Sequence, residues 1–248
     1  MLSKMGFKSL IIEKAKRKKS RLILALDFTD KEPLNSAKDK INQLHNSLVG
    51  VKLNQHILLP LSIKDVSRIV RTAHDKDLLT IADLKLSDIS STNLVACKHI
   101  WNAGFDALIL SPLPGYEDGV GPVISDAHDR GKGVIMLAMM SNKGAEEFFE
   151  VKLKNDKNLY ELFLNKAVKW DIDGIIVGAT NLKVLKKARE VIGKNLLIFS
   201  PGIGVQGGKA KDAINCGSDF IIVGRSIIKS SNPSYLVERM RQESWISS

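Results

Sequence analysis

A chain of 248 residues, of which 44% are hydrophobic, can bury one large α/β core or two small ones. Its formal net charge of +10 favours anionic partners, which include phosphorylated small molecules, nucleic acids and membrane surfaces. The two cysteines, Cys97 and Cys216, lie far apart without metal-ligand spacing, and no apolar run approaches the length of a membrane span. The composition therefore argues against a disulfide scaffold and a membrane protein, and we expect a cytoplasmic protein.

The chain begins with a basic segment that has the pattern of an amphipathic helix. We expect an extra helix over Leu2–Lys19, within an N-terminal extension of residues 1–20. The dense basic run Lys14–Arg21 lacks interleaved aromatic residues. It is therefore more typical of a solvated helix face than of a nucleic-acid-binding arm.

Short apolar runs rich in Val, Ile and Leu then recur eight times, separated by stretches with helical periodicity. Such an alternation predicts a parallel sheet covered by helices. The eight runs are Leu22–Leu26, Leu48–Leu53, Leu78–Ala82, Ala107–Leu110, Val134–Leu137, Gly174–Val177, Leu196–Phe199 and Phe220–Val223.

Eight such units in one chain of this length predict a closed (β/α)8 TIM barrel. The alternative, an open doubly wound sheet, usually has a glycine-rich turn after its first strand, whereas here the strand ends in Asp27-Phe28. We expect a single domain over residues 1–248, with the N-terminal helix closing the mouth opposite the active site. The longest gap between strands contains Met139–Phe149, which is a candidate loop over that site.

The most informative motif is Asp83-Leu84-Lys85-Leu86-Ser87-Asp88, directly after the third apolar run. Because side chains alternate along a strand, Asp83 and Lys85 should point to the same face. Charges gathered at the end of a buried strand suggest a site whose chemistry needs fixed charge. The alternative is a structural ion pair followed by a helix with Asp88 as its N-cap.

Other polar residues follow the remaining strands and should converge on the same mouth of a barrel. A glycine-rich loop, Ser200–Gly208, follows the seventh strand, and Gly224-Arg225 ends the eighth. Glycine-rich backbone and an arginine at these two strands predict a phosphate site, and the loop is a plausible mobile lid. The strand-end candidates are Asp27, Lys52, Asp83, Lys85, Asp88, Ser141, Pro201, Gly202, Gln206, Gly224 and Arg225.

The histidines and metal-ligand candidates add little to this site. His45, His74, His99 and His128 fall in helical stretches, and His56 follows the second strand without a carboxylate partner in sequence. We expect all five to be surface or packing residues. No cluster has convincing metal-ligand spacing, although two aspartates of the motif offer oxygen ligands of the kind that Mg²⁺ prefers. We predict no metal and no cofactor.

These residues resemble the orotidine 5′-monophosphate decarboxylase family. The motif that begins at Asp83 is similar to the family's Asp-x-Lys-x-x-Asp, which related phosphosugar enzymes of the same barrel group share. The segment Pro201–Gly208 and the pair Met140-Ser141 followed by Gly144-Ala145-Glu146 are more diagnostic of the decarboxylase. The resemblance covers essentially the whole chain and departs at Asn142-Lys143, where many members have other residues.

The resemblance implies cofactor-independent decarboxylation of orotidine 5′-monophosphate to UMP, the last step of UMP synthesis. Lys85 would stabilise and protonate the C6 carbanion, Asp83 would hold Lys85, and Lys52 would join the charged network. Members are dimers with shared sites, so that Asp88, Ile89 and Thr92 would complete the neighbouring subunit's pocket. The implied substrate contacts are Asp27 and Lys52 to the ribose, Ser141 to the pyrimidine, Gln206, Gly224 and Arg225 to the phosphate, and Pro201-Gly202 at the start of the lid.

Two other functions remain open at this point. One is a Mg²⁺-dependent phosphosugar lyase or aldolase of the same barrel group, with Asp83 and Asp88 around the metal. The other is a noncatalytic binder of a phosphate ligand or nucleic acid, suggested by the net charge. We favour the decarboxylase, with a nucleotide substrate, a homodimeric assembly and no nucleic-acid or membrane partner.

Overall fold

The computed structural model describes residues 6–245, and in it eight parallel strands form a closed barrel. Each strand pairs with the next along the chain, and β1 pairs with β8 to complete the ring. The predicted fold class is therefore confirmed. The strands are β1 (Leu22–Ala25), β2 (Gly50–Asn54), β3 (Leu79–Leu86), β4 (Ala107–Leu110), β5 (Gly133–Met139), β6 (Gly174–Val177), β7 (Leu197–Ser200) and β8 (Phe220–Val223).

The helices cover the outside of the barrel and its two mouths. Short 3-10 helices span His45–Ser47 and Lys143–Ala145, and a π-helix spans Tyr116–Val120. Among the described residues, no helix has both the length and the apolar character needed to cross a membrane. The α-helices are α1 (Phe7–Lys18), α2 (Pro33–Leu44), α3 (Gln55–Leu58), α4 (Ile63–Asp75), α5 (Ser90–Ala103), α6 (Gly121–Asp129), α7 (Glu146–Phe149), α8 (Leu159–Lys169), α9 (Leu182–Ile192), α10 (Ala210–Asn215), α11 (Arg225–Ile228) and α12 (Pro233–Ser244).

Strand positions agree closely with the sequence prediction, and the largest difference is at β3. The predicted bounds of β4, β6 and β8 are those of the structure. By contrast, β3 continues to Leu86, beyond the predicted end at Ala82, because Asp83 and Leu86 still pair with β4. The prediction of one domain over residues 1–248 stays a prediction.

Helix α1 closes the N-terminal mouth of the barrel, as the amphipathic pattern suggests. Its residues Phe7 and Ile11 are buried in the apolar cluster that fills the barrel interior. The Phe7 ring stacks on Phe199 with centroids 6.4 Å apart, and it also contacts Gly133 at the start of β5. The predicted residues Leu2 to Met5 lie outside the described residues.

The basic run Lys14–Arg21 is only partly the solvated helix face predicted from its composition. The side chains of Lys14 and Lys18 are each only 12% exposed, and both lie near the carboxylate of Asp77. Arg17 Nη2 donates to the same carboxylate at 2.6 Å. The run therefore anchors α1 to the turn before β3. Local sequence patterning does not reveal this contact, because Asp77 lies 60 positions from Arg17 in the chain.

A repeated aspartate supports the sheet at the N-terminal ends of alternate strands. Asp106, Asp173 and Asp219 immediately precede β4, β6 and β8. Each accepts a backbone N–H from the second residue of the preceding strand, at 2.7 to 2.8 Å. Each also contacts a side chain of the helix that comes just before the strand whose N–H it accepts. Asp106 pairs with His74, Asp173 with His128, and Asp219 with Arg189.

One member of this repeat predicts a pH dependence of stability. The hydrogen bond from His128 to Asp173, aided by the nearby charges of Asp171 and Asp129, raises the pKa of His128 against the opposing effect of burial. A raised histidine pKa contributes stability that is complete below the unfolded value of about 6.5 and is lost as pH rises through the folded value. We expect His128→Gln to lower the free energy of unfolding more at about pH 5.5 than at about pH 8.5.

Urea denaturation at several pH values measures this difference. His99→Gln is the matched control, because His99 is an exposed histidine on α5 that lies in no ion pair of the described residues. A penalty for His128→Gln that stays constant across the pH range would contradict the assignment.

Candidate active site

The C-terminal end of β3 brings two charged residues to the C-terminal mouth of the barrel. Asp83 pairs with Ile109 of β4, but the next pair is Leu86 with Leu110, so two extra residues bulge out of β3. Lys85 lies in this bulge with φ of +49°, a left-handed conformation that is strained for a residue with a side chain. Side-chain alternation thus correctly predicts that Lys85 faces the same side as Asp83. The position of Lys85, however, is set by the bulge.

Asp83 is held between two lysines at the base of the site. Its Oδ2 accepts from Lys52 Nζ at 2.6 Å, and its Oδ1 accepts from Lys85 Nζ at 2.7 Å. Burial disfavours the charged form of Asp83, but the charges and hydrogen bonds of the two lysines outweigh it and hold its pKa below the ordinary value. The side chain of Lys52 is 7% exposed and that of Lys85 is 37% exposed, so Lys85 is the more accessible of these two lysines.

Asp27 extends the charged cluster from the end of β1. Its Oδ1 lies 4.0 Å from Lys52 Nζ and accepts a hydrogen bond from Asn54 Nδ2 at 2.5 Å. The amide oxygen of Asn54 accepts the backbone N–H of His56 at 2.9 Å and lies 2.7 Å from the ring Nδ1 of His56. Asn54 fixes the orientation of Asp27, and the sequence analysis missed it because an asparagine at a strand end is indistinguishable from a helix cap.

Asn54 orients Asp27, for which the resemblance implies a contact to the substrate, so we expect Asn54→Ala to weaken substrate binding while sparing the chemical step. Loss of one hydrogen bond to a charged group that stays in place predicts an increase in KM of roughly 3- to 10-fold with kcat nearly unchanged. Steady-state kinetics measures the split between the two constants. The matched control is Gln55→Ala, an exposed neighbour outside the cavity. If kcat falls in Asn54→Ala but not in Gln55→Ala, then Asn54 acts on the charged cluster and not on substrate binding.

The loop of residues 201–208, here called the lid, folds over one side of the cavity. Within it Gly204 N donates to Gly208 O at 2.8 Å, and Gly208 N donates to Gly202 O at 3.0 Å. Gly202 has φ of +94°, and a Cβ there would lie 2.9 Å from Ser141 Cβ, so both conformation and space require glycine.

Two side-chain contacts hold the lid in this position. Ser141 Oγ, from the loop after β5, donates to Gln206 Oε1 at 2.9 Å. On the other side, Val205 N donates to Ser226 Oγ at 3.0 Å. Ser226 is a second residue that the sequence analysis missed, because nothing local to Arg225-Ser226 indicates that the hydroxyl faces a loop more than twenty residues earlier.

The end of β8 supplies a close backbone approach and an exposed guanidinium. A Cβ at Gly224 would lie 2.8 Å from Asp27 Oδ2, so glycine lets the ends of β1 and β8 meet. Arg225 follows as the first residue of α11 and is exposed at the cavity wall. A guanidinium beside glycine-rich backbone is suited to binding an oxyanion such as phosphate.

Ten of the predicted site residues line one cavity of about 190 Å³ at the C-terminal mouth. The alternating charges of Asp27, Lys52, Asp83 and Lys85 form its base, and the lid and α11 form its wall. The ten are Asp27, Lys52, Asp83, Lys85, Ser141, Pro201, Gly202, Gln206, Gly224 and Arg225.

Three predicted residues lie outside this cavity. Asp88, Ile89 and Thr92 are exposed at the start of α5. The alternative role of Asp88 as the N-cap is wrong: the helix begins at Ser90 with Ile89 as the N-cap residue, and Asp88 Oδ1 accepts the N–H of Ile89 at 2.7 Å. The extended backbone at Ile89 places the aspartate one residue too early to cap the helix.

The two aspartates that the metal-dependent alternative requires are not arranged around a common point. Both oxygens of Asp83 accept hydrogen bonds from lysines, whereas Asp88 is exposed outside the cavity. Over residues 6–245, no group of three or more His, Cys, Asp and Glu side chains has a metal-binding arrangement. His74 and His128 pair with strand-start aspartates at the other end of the barrel, in agreement with a structural role.

Known proteins resemble this chain in sequence over nearly its full length. The sequence profile of the orotidine 5′-phosphate decarboxylase / HUMPS family matches residues 20–240. This chain belongs to that family. The orotidine 5′-phosphate decarboxylase of Methanococcoides burtonii is 34% identical over 226 residues, covering 91% of this chain and 98% of the relative. That of Thermococcus kodakarensis is 35% identical over 224 residues, covering 90% and 96%.

Solved structures of the family have the same barrel. Orotidine 5′-monophosphate decarboxylase from Methanocaldococcus jannaschii, in complex with the inhibitor BMP, superimposes with a TM-score of 0.76 at 28% identity, covering 90% of this chain and 98% of that one. Leishmania donovani UMP synthase gives a TM-score of 0.87 at 26% identity; the match covers 97% of this chain and 56% of that longer chain. The sequence comparisons and the solved structures therefore agree on the family and on the barrel.

Proposed function

We propose that this chain decarboxylates orotidine 5′-monophosphate to UMP without a cofactor, and that Lys85 is the catalytic acid. The observation that carries the proposal is the Asp83 carboxylate fixed between Lys52 and Lys85 at the base of the cavity. The decarboxylase relatives, which match over about nine-tenths of this chain, support the choice of reaction.

The chemistry requires a cation fixed beside one carbon atom. When the bond from C6 to the carboxylate breaks, CO₂ leaves and the electron pair stays on C6, where no π-system delocalises it. The ammonium group of Lys85 stabilises this charge electrostatically and then transfers one proton to C6, which leaves a neutral amine to be reprotonated by solvent. The depressed pKa of Asp83 keeps its carboxylate ionised, so Asp83 holds Lys85 in position.

The remaining cavity residues account for the rest of the nucleotide. Asp27 and Lys52 bind the ribose hydroxyls, and Ser141 donates to or accepts from the pyrimidine amide. Gln206, Arg225 and the backbone of Gly224 bind the phosphate, which lies far from the reacting carbon. Binding energy from this distant group closes the lid at Pro201-Gly202, so it serves the transition state.

The exposed residues at the start of α5 support a homodimer with shared sites. Ile89 at the N-cap of α5 and Val95 within it are each 60% exposed, and Leu113 after β4 is 69% exposed. Such exposure is unusual for large apolar side chains near an active-site mouth. In the dimer, the partner subunit's Asp88, the partner's Ile89 and the partner's Thr92 complete each cavity.

Mixing two inactive variants tests this shared arrangement. Lys85→Ala and Asp88→Ala should each be nearly inactive alone. After unfolding and refolding together, half of the dimers are mixed, and each has one site with both native residues, so we expect about a quarter of the wild-type activity. A mixture that stays as inactive as its components would show that Asp88 acts within its own subunit. An Asp88→Ala protein that is active on its own would show that Asp88 has no role.

The decisive experiment on the reaction is the loss of orotidine 5′-monophosphate absorbance with purified protein, with and without EDTA. We expect turnover that EDTA does not reduce. No turnover by folded protein, or turnover of a phosphosugar that EDTA abolishes, would overturn the proposal in favour of the metal-dependent alternative. Steeply salt-dependent binding to generic RNA, unaffected by Lys85→Ala, would favour the nucleic-acid alternative.

The two cysteines support the last part of the proposal, which is that the protein is cytoplasmic. Both cysteines are free thiols, and Cys97 is buried, which suits a reducing cytoplasm. Burial raises the pKa of Cys97 to about 12, so its thiol is inert at neutral pH.

A further inference from the structure

A second cavity lies at the opposite end of the barrel from the active site. It has a volume of about 670 Å³, within the range of small-molecule sites. Leu197 and Phe220, the first residues of β7 and β8, lie on one side; Ile12 and Lys16 of α1 lie on another. The packed interior of the barrel separates this cavity from Lys85.

Basic side chains dominate the wall of this cavity. Of residues 6–245, five cations and one carboxylate, that of Asp219, contribute to it. Arg189 is committed to structure, because it donates to Asp219, Gly217 O and Leu196 O. The cations in the wall are Lys8, Lys16, Arg21, Arg189 and Lys194.

Three of these cations have no carboxylate partner among residues 6–245. Lys16, Arg21 and Lys194 form no salt bridge within that range, although like charges around a cavity repel one another. Lys8 donates to the carbonyl of Asn195. Lys16 and Arg21 belong to the basic run that the active site leaves unexplained, so an anion held here would account for part of the net charge of +10.

The cavity also offers an aromatic surface. The Arg21 guanidinium lies 5.5 Å from the centre of the Trp245 ring, and Trp245 is half-buried against the apolar interior cluster. Together with Ile12, Leu197 and Phe220 it forms an apolar wall beside the cations. A ligand that satisfies both parts of the wall has a planar ring and several negative charges.

We propose that this cavity binds a nucleoside triphosphate. The polyphosphate contacts Lys16, Arg21 and Lys194, and the base packs on the apolar wall at Trp245. Inorganic polyphosphate satisfies only the cations, and an uncharged nucleoside satisfies only the apolar wall. This site is separate from the decarboxylase site and lies at the opposite end of the barrel.

Calorimetric titration of the full chain with ATP tests the proposal. We expect saturable binding that Lys16→Glu/Lys194→Glu weakens at least about tenfold, because charge-assisted contacts to phosphate are lost. Two variants should leave ATP affinity unchanged: Lys187→Glu, an exposed lysine of α9 outside the cavity wall, and Arg225→Ala in the active site. Thermal denaturation of each variant checks that it is folded.

Further arms of the experiment separate the two halves of the ligand. ATP should bind more tightly than either tripolyphosphate or adenosine, and it should quench tryptophan fluorescence in the native protein but not in Trp245→Phe. Absence of ATP binding, equal weakening by Lys187→Glu, or loss of binding in Arg225→Ala would overturn the site. If tripolyphosphate bound as tightly as ATP, the proposed contact with the nucleoside would be wrong. If single-stranded RNA bound more tightly than ATP and responded to the same variants, the ligand would be a nucleic acid and not a nucleoside triphosphate.

Discussion

Lys85→Ala is expected to lower kcat/KM for orotidine 5′-monophosphate by at least about 10⁴-fold, because in the proposed mechanism one side chain supplies both charge stabilisation and the proton. Affinity for the product UMP should change far less, since UMP lacks the carboxylate and its phosphate is proposed to bind at Gln206 and Arg225, away from Lys85. Steady-state and single-turnover kinetics, together with UMP titration, measure the two effects separately.

Lys85→Arg is the informative companion to this variant. The guanidinium keeps the positive charge, but it does not donate a proton readily because its pKa lies well above that of an ammonium group. We therefore expect Lys85→Arg to remain severely impaired. A variant at Lys85 that keeps more than about a tenth of the wild-type rate would exclude Lys85 as the catalytic acid.

Asp83→Ala is expected to lower the free energy of unfolding by about 3–5 kcal/mol as well as the activity, because it removes the bonded carboxylate from the buried ammonium of Lys52. Lys52 is 7% exposed, and the other carboxylate near it, Asp27 Oδ1, lies 4.0 Å away. Urea denaturation of the two proteins at neutral pH gives the difference.

The pH dependence of this penalty has a defined sign. A carboxyl with a depressed pKa contributes stability that is present above its unfolded pKa of about 3.9 and is lost as pH falls through the lower folded value. The penalty for Asp83→Ala should therefore persist down to about pH 4 and shrink in stronger acid. Asp83→Leu combined with Lys52→Met removes both charges and should be more stable than Asp83→Ala alone; if it is not, the penalty arises from lost packing instead.

The barrel could be predicted from sequence because its strands are near-continuous apolar runs with helical stretches between them. Those runs reflect burial on both faces, a local property that each strand carries on its own. The docking of α1 through Asp77 and the strand-start aspartates could not be predicted in the same way. They depend on residues that meet only after the barrel has formed, and each aspartate alone resembles an ordinary turn residue.

The site was predictable to the extent that its residues follow strands. Convergence at the C-terminal mouth follows from barrel topology, so Asp27, Lys52, Ser141 and Arg225 could be grouped before any distance was known. Asn54 and Ser226 escaped prediction because their significance lies in what they contact, not in where they stand along a strand. The strained backbone at Lys85 was equally hidden, since it results from a register shift between β3 and β4.

The strand-start aspartates also bear on the order in which the barrel assembles. Each joins a backbone amide to a carboxylate 21 to 39 residues away, so the chain segment it closes is short and loses little entropy. The pairing of β1 with β8 joins residue 23 to residue 222, which is close to the largest separation the chain allows. From contact order we therefore expect the three tied strand pairs to form first and the β1–β8 seam to close last.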